Sequence, residues 1–336
     1  MKTIREVAAM ANVSVATVSR VLNDSGIVSY KARAAVLRAI RETDYSPNLL
    51  GRSLRRTETR IVLVLLPTIA NPFYSGVVKG MEEIASEYGY NVMLCDTASD
   101  PEKEKSYTDL LRNRLADGII FLSPEMKSNE LSELAGQLPV VQCSEYKEEA
   151  GISTVAIDNS KAAYTAICHL INMGHKRISM ISVKNDLISA RKREEGYRAA
   201  LMDHGIRYDA GLIEYGDYSF KSGIRAGNTI IYMKERPTAV FAISDIMAIG
   251  AIKAVREAGL QVPNDIAVMG FDNISFSSMC SPTLSTISQP RYDIGSIAMK
   301  LLVKQLENGL AARETIFLEH ELIIRESTMR SVKQQG

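Results

Sequence analysis

The sequence predicts an α/β protein in three parts: an N-terminal all-α helix-turn-helix head, a hinge helix, and two doubly wound parallel-sheet lobes. Three observations lead there. The first 45 residues carry three short helical patterns separated by turn signals. Residues 61–288 alternate short unbroken apolar runs with amphipathic stretches, the pattern of buried parallel strands and their crossover helices. The charge is divided between the two regions. Residues 1–60 hold eleven basic and five acidic side chains, a net of +6, and the other 276 hold 29 basic and 34 acidic, a net of −5. A basic head on an acidic body suits a module that meets a polyanion. The 336 residues are 46% hydrophobic and 24% charged, which excludes a disordered chain and allows two or three domains.

In the head, Thr3 is placed to cap a first helix whose Ile4, Val7, Ala8 and Ala11 share one face. Asn12-Val13-Ser14 makes a turn, with Ser14 positioned to cap a second helix over 15–22. That helix buries Val18, Val21 and Leu22 and leaves Val15, Ala16, Thr17, Ser19 and Arg20 facing outward. A third helix, 30–43, completes the motif. Small side chains early in the second helix permit close approach to base edges, and Arg20 can pair with guanine or phosphate. The competing reading is a three-helix cap with a solvated basic face, packed on the body.

Tyr45-Ser46-Pro47-Asn48 interrupts the helical pattern, and Pro47 suits the first turn of a new helix. The following Asn48-Leu49-Leu50-Gly51-Arg52-Ser53-Leu54-Arg55-Arg56 is too short and too polar to be a stable helix alone. Such a segment can order on DNA, with Arg52 and Arg55 on phosphates and Leu54 wedged between base steps in the minor groove.

The body yields a first strand set, 61–66, 91–95, 118–122 and 139–143, with helices near 75–88, 102–115 and 128–137. A second set, 177–183, 212–215, 238–243 and 266–270, has helices near 160–173, 190–204, 219–234 and 245–258. Two α/β halves of similar length imply two lobes. Residues 155–159 read as the first crossover between them and 283–289 as the return, after which a helix over 292–308 rejoins the first lobe. The expected boundaries are 1–46 for the head and 47–60 for the hinge helix and linker. The N-terminal lobe takes 61–158 and 289–318, and the C-terminal lobe takes 159–288 and 319–336. Paired lobes of the periplasmic-binding-protein type hold a ligand in the cleft between them and close on it by hinge motion.

Much chemistry is excluded. Cys95, Cys143, Cys168 and Cys280 lie far apart with no C-x-x-C, and the four histidines have no ligand spacing, so no metal is expected. There is no phosphate-binding G-x-x-x-x-G-K-[ST], no G-x-G-x-x-G after a strand and no G-x-S-x-G, so neither a nucleotide cofactor nor an enzyme is indicated. Gly76-x-x-x-Gly80 reads as helix packing. Arg5 and Glu6 stand where a signal peptide needs apolar residues, and no apolar run approaches the roughly 18 residues of a membrane span. The expectation is a soluble cytoplasmic protein, nucleoid-associated when bound to DNA.

TIREVAAMANVSVATVSRVLN followed by YSPNLLGRSL resembles the DNA-binding head and hinge helix of the lac and purine repressor family of transcriptional regulators. The likeness continues through Asn71-Pro72-Phe73, Gly174-His175-Lys176-Arg177-Ile178, Gly270-Phe271-Asp272-Asn273 and Gln289-Pro290. It implies a homodimeric, ligand-controlled repressor on a palindromic operator. The DNA-facing set would be Ser14, Val15, Ala16, Thr17, Ser19, Arg20, Asn23 and Tyr45, with Arg52, Leu54 and Arg55 in the hinge. For the small-molecule effector, Phe73 and Tyr74 follow the first strand, where a ring can stack on a sugar or base, although a core position suits either equally. The family's ligand arginine stands three residues before a Gly-aromatic pair, here Gly196-Tyr197, which selects Arg193. Without the resemblance, Arg193 would read as one solvated charge in Arg191-Lys192-Arg193-Glu194-Glu195. The family's aspartate falls at Asp272, and Ser123, Tyr218, Ser244 and Gln289 carry over as cleft-lining residues.

An arginine facing an aspartate suits a vicinal diol. The segments GRSLRRTETRIVLVLLP, TAVFAISDIMAIGA, ISQPRYDIGSIAM and ELIIRESTMR resemble the nucleoside-responsive cytidine-repressor branch of the family. Leu187 stands where purine-responsive members have a ligand-contacting arginine, which argues against a free purine base. The effector expected is a nucleoside first and a sugar second. Tyr292, Lys300 and Lys304 resemble the surface on which the family's catabolite control protein receives a phosphorylated carrier protein, a protein corepressor. The simpler reading is a solvated helix face or a dimer contact. Outside the regulator class, the alternative is a periplasmic-type solute-binding protein, against which the basic head counts.

Overall fold

The computed structural model describes residues 3–22, 25–45, 58–310 and 313–329. The chain divides into two compact units, Met1–Thr59 and Arg60–Gly336. Each is built on its own core.

The head contains α1 (Ile4–Met10), α2 (Val15–Leu22) and α3 (Tyr30–Thr43). Its start is fixed by a capping box: the Thr3 hydroxyl accepts from the Glu6 amide, and the Glu6 carboxylate accepts from the Thr3 amide at 2.6 Å. Asn12 takes a left-handed φ of 52° in the turn before α2, a conformation asparagine tolerates better than most residues. The Ser14 hydroxyl then accepts from the Thr17 amide at 3.1 Å, opening α2 as expected. Val7, Ala8, Val18, Val21, Val36 and Ala39 form the buried core of this unit, with Leu22 half-buried at its edge.

The body holds two six-stranded sheets among the described residues. The first comprises β1 (Ile61–Leu66), β2 (Asn91–Asp96), β3 (Gly118–Phe121), β4 (Val140–Cys143), β5 (Ser153–Ile157) and β11 (Thr315–Leu318), in the order β11-β5-β4-β3-β1-β2. All its neighbours are parallel. The second comprises β6 (Ile178–Val183), β7 (Ile213–Gly216), β8 (Ala239–Ala242), β9 (Ala267–Asp272), β10 (Ser285–Ser288) and β12 (Glu321–Ile323), in the order β12-β10-β9-β8-β6-β7. It is parallel except for β12, which runs antiparallel to β10. The helices are α4 (Pro72–Glu87), α5 (Pro101–Arg112), α6 (Ser128–Gln137), α7 (Asn159–Asn172), α8 (Ile188–Asp203), α9 (Phe220–Ile231), α10 (Asp245–Glu257) and α11 (Arg291–Asn308).

The chain passes between sheets after β5, after β10 and between β11 and β12. The segments 155–159 and 283–289, which the pattern gave as crossovers, therefore overlap full strands of their sheets, β5 and β10. Strands β11 and β12 went unrecognised because they are short and half-exposed. Glycines set how closely the helices cross. A Cβ on Gly80 would lie 2.1 Å from the Tyr292 carbonyl oxygen, and one on Gly295 1.8 Å from that of Val77, so α4 and α11 touch backbone to backbone. Gly80 is thus a packing residue, as its motif suggested.

Candidate functional site

In the head, α2 carries the proposed DNA face. Ser14, Val15, Ala16 and Arg20 are exposed, while Thr17 and Ser19 are half-buried. The Ser14 and Thr17 hydroxyls are bonded at 2.9 Å, which fixes both at the start of the helix. The Arg20 side chain runs beside Gly26, where a Cβ would meet its Cδ at 3.6 Å. Tyr45 is half-buried and packs against the head's core, so its ring is held by the fold. Asn23, Arg52, Leu54 and Arg55 lie outside the described residues, as does the whole hinge segment 47–56.

In the body, a cavity of about 1080 Å³ opens between the two sheets. Its walls are the loops after the carboxyl ends of β1, β2, β3, β4, β6, β7, β9 and β10, where open α/β sheets bind ligands. Phe73, Tyr74, Ser123, Arg193, Tyr218, Asp272 and Gln289 all line it. Ser244 does not. It caps α10, its buried hydroxyl accepting from the Met247 amide at 3.3 Å, which corrects its reading as a cleft residue. The end of its strand is filled instead by Arg193, whose Nη1 donates to the Ile243 carbonyl at 2.6 Å.

Arg193 projects from the second turn of α8 and is 5% exposed. Its Nε donates to Asn159 Oδ1 at 2.9 Å, and the guanidinium carbon sits 3.7 Å from the centroid of the Phe271 ring. Nη2 makes no hydrogen bond among the described residues, so one edge of the fork remains for a ligand. Asp272 ends β9 with a left-handed φ of 117° and accepts from Gln289 Nε2 at 2.8 Å. Burial pushes its carboxyl up to about 7, with the nearby Arg193 charge pulling the other way and Asp245 adding to the rise. Asp245 lies beneath, fully buried, accepting from the Ile274 amide, the Ser277 hydroxyl and the Thr286 hydroxyl.

Glu145 and Ser189 escaped the sequence reading. Glu145 follows β4 and its carboxylate takes both the Ser189 hydroxyl and the Ser189 amide, the latter at 3.1 Å, at the first turn of α8. The contact joins the two lobes across the cavity. Burial raises the Glu145 carboxyl, and the Ser189 hydroxyl and Arg193 oppose the rise. A second link pairs Arg191 with Glu148 at 2.9 Å. Tyr74 stands edge-on to Phe73 with ring centroids 5.3 Å apart, and both rings belong to the core while lining the cavity. Burial, with the Glu145 carboxyl next, keeps the Tyr74 phenol protonated. Tyr218 takes a left-handed φ of 63° in the loop after β7 and packs against the core while lining the cavity.

On α11, Tyr292, Lys300 and Lys304 are exposed. The Tyr292 hydroxyl donates to Glu83 at 2.5 Å and the Lys304 ammonium to Glu314 at 2.6 Å. No group of metal-ligating side chains occurs among the described residues, and no described helix is long and apolar enough to cross a membrane.

Residues 3–48 match the model of bacterial regulatory proteins, lacI family, and residues 59–326 that of the periplasmic binding proteins and sugar binding domain of the LacI family. The transcriptional repressor CytR of Escherichia coli K12 is 38% identical over 327 residues, covering 97% of this chain and 96% of that one. Catabolite control protein A of Priestia megaterium is 37% identical over 328 residues, covering 97% and 99%. Among solved structures, the lac repressor dimer bound to operator and the anti-inducer ONPF superposes with a TM-score of 0.89 at 27% identity, covering 98% and 99%. The regulator CelR in complex with cellobiose gives 0.74 at 32% identity, covering 97% and 100%.

Proposed function

The chain belongs to the lacI family of bacterial regulatory proteins and is a DNA-binding transcriptional regulator, not an enzyme, and from that premise we propose that it is a homodimeric repressor whose operator affinity is set by a nucleoside held in the cleft. The observation that carries the effector site is the convergence of Arg193, Asp272, Gln289 and Tyr74 on one cavity at the strand ends. The open edge of the Arg193 fork and the Asp272 carboxyl suit a vicinal diol, and the Tyr74 and Phe73 rings suit a flat base. A sugar is the second reading, favoured by the cellobiose complex of CelR.

The head would read one half-site through Val15, Ala16, Thr17 and Arg20, and a two-fold pair would read a palindrome. A self-association face is available on the second lobe. Phe276 and Met279 are 51% and 72% exposed beside Phe220, Ile249 and Cys280, which together line adjoining apolar hollows. A second copy of the chain covering this patch removes it from water. With Tyr292 and Lys304 engaged inside the chain, the α11 face reads as an ordinary solvated surface. The protein would act in the cytoplasm, on the nucleoid.

The test is a gel shift of the full chain on operator fragments selected from random DNA, at two salt concentrations, with nucleosides and sugars added in turn. Steep salt dependence and a change in affinity with a compound of either class are expected. Operator binding that no such compound alters refutes the effector reading.

A further inference from the structure

We infer that the cleft takes an uncharged effector and rejects its phosphorylated form, a nucleoside against its nucleotide or a sugar against its sugar phosphate. The inference rests on the cleft being the effector site. Six carboxylates line the cavity, Asp96, Glu125, Glu145, Asp186, Asp217 and Asp272, against three cations, Lys147, Lys184 and Arg193. The acids stand on both sides, with Asp96, Glu125 and Glu145 at or beyond the strand ends of the first sheet and Asp186, Asp217 and Asp272 at or beyond those of the second. A phosphate entering from either side therefore meets excess negative charge.

Two of the three cations are engaged within the chain. Arg193 spends two of its nitrogens on Asn159 and Ile243 and its face on Phe271. The Lys184 ammonium lies 4.9 Å from the centroid of the Tyr215 ring, which holds it by a cation–π contact. Helix N-termini attract anions through their open amides, and two of them end at this cavity. Both are closed by the chain itself. At α8 the Glu145 carboxylate takes the Ser189 amide. At α4 the Asn71 side chain takes the Phe73 amide at 3.0 Å, and the Asn71 carbonyl takes that of Tyr74 at 3.2 Å. What remains on the floor are paired acceptors and one guanidinium edge, a set suited to hydroxyl groups.

With Glu145, Asp272 and Arg193 on the floor set apart, Asp96, Glu125, Asp186 and Asp217 against Lys147 and Lys184 leave two net negative charges at the mouth, and these acting on a phosphate dianion about 8 Å away, in a water-like medium, correspond to roughly thirtyfold weaker binding. The experiment is calorimetric titration of the full chain with cytidine, uridine, adenosine and guanosine, each paired with its 5′-monophosphate, and with glucose and ribose paired with their phosphates. At least one uncharged member should bind, with its phosphate about thirtyfold or more weaker. Raising the salt or introducing Glu125→Gln with Asp217→Asn should narrow that ratio several-fold, because both act on the repulsion. A phosphorylated member binding as tightly as its parent overturns the inference and leaves the cleft an effector site. A gap that neither salt nor the double variant narrows also overturns it, since the rejection would then be steric. If no member of any pair binds, both the site reading and the inference fall.

Discussion

Replacing Arg193 by alanine should damage the body's stability as well as its ligand response. The side chain is 5% exposed and donates to Asn159 Oδ1 at 2.9 Å and the Ile243 carbonyl at 2.6 Å. Hydrogen bonds from a charged donor each contribute about 1.5–3 kcal/mol net. The stacking on Phe271, 3.7 Å from the ring centroid, adds about 2 kcal/mol where desolvated. Removing the buried charge returns part of this, because the guanidinium no longer has to be held away from water. The alanine variant nevertheless leaves two acceptors without a donor and a gap over the ring, and truncating one partner of a buried charged network typically costs about 3–5 kcal/mol. For a unit the size of Arg60–Gly336, each kcal/mol moves the melting temperature by roughly 2–4 °C, so a fall near 10 °C is expected. Calorimetric melting of the full chain measures it, and a double-mutant cycle with Asn159→Ala should return a coupling of about 1 kcal/mol or more. A melting temperature within 2 °C of the parent, or additive single effects, would refute the claim that Arg193 is held by the fold. Arg193→Lys keeps the charge but not the planar fork, and should recover little of either property.

Three other outcomes follow from the same structure. If the proposed dimer forms through the Phe276 and Met279 face, Phe276→Glu or Met279→Glu should convert it to monomer in sedimentation velocity while the melting temperature stays within a few degrees. Gly295→Ala puts a methyl 1.8 Å from the Val77 carbonyl oxygen and must push α4 from α11, for a loss of about 1–3 kcal/mol or more in denaturant titration. Burial raises the Asp272 carboxyl from its ordinary value of 3.8 to about 7, and the Asp245 carboxyl to about 6. Groups raised on folding bind protons more tightly in the folded state, so their contribution is complete below about pH 4 and disappears as pH rises through 7. The ligand-free melting temperature should accordingly carry a component that falls across that window, and Asp272→Asn should flatten it.

Where the sequence spoke clearly, the cause was local. The capping pattern Thr3-x-x-Glu6 and Ser14 before Val15 placed α1 and α2 to within a residue, because cap chemistry acts over a single turn. Runs such as 61–66 and 266–270 announced buried strands because both of their faces must be apolar. Strands β11 and β12 gave no such signal. They sit at sheet edges with no residue fully buried, over only four and three residues. Ser244 was misplaced by analogy, although Ser before Asp-Ile-Met is itself a helix-start signal and that is the role it has.

The cleft was half legible, and the missing half is what holds the visible half in place. Arg193 and Asp272 could be picked out by motif, but their geometry depends on Asn159, Phe271 and Gln289, whose contacts join residues 34, 78 and 17 positions apart. No periodicity encodes such pairings. Glu145 was recoverable by position, being an acid just beyond the end of a buried strand, but its partner Ser189 lies 44 residues on and in the other lobe. These supports have a consequence for binding. Because Asp272, Arg193 and Glu145 each rest on a bond from their own chain, a ligand meets groups already oriented and gives up little entropy in ordering them. The Glu145–Ser189 and Glu148–Arg191 contacts join the first lobe to α8, so a ligand that competes for Ser189 or Glu145 changes what holds the lobes together. Under the proposed function this would give the effector a differential interaction with open and closed arrangements, the requirement for any shift between them.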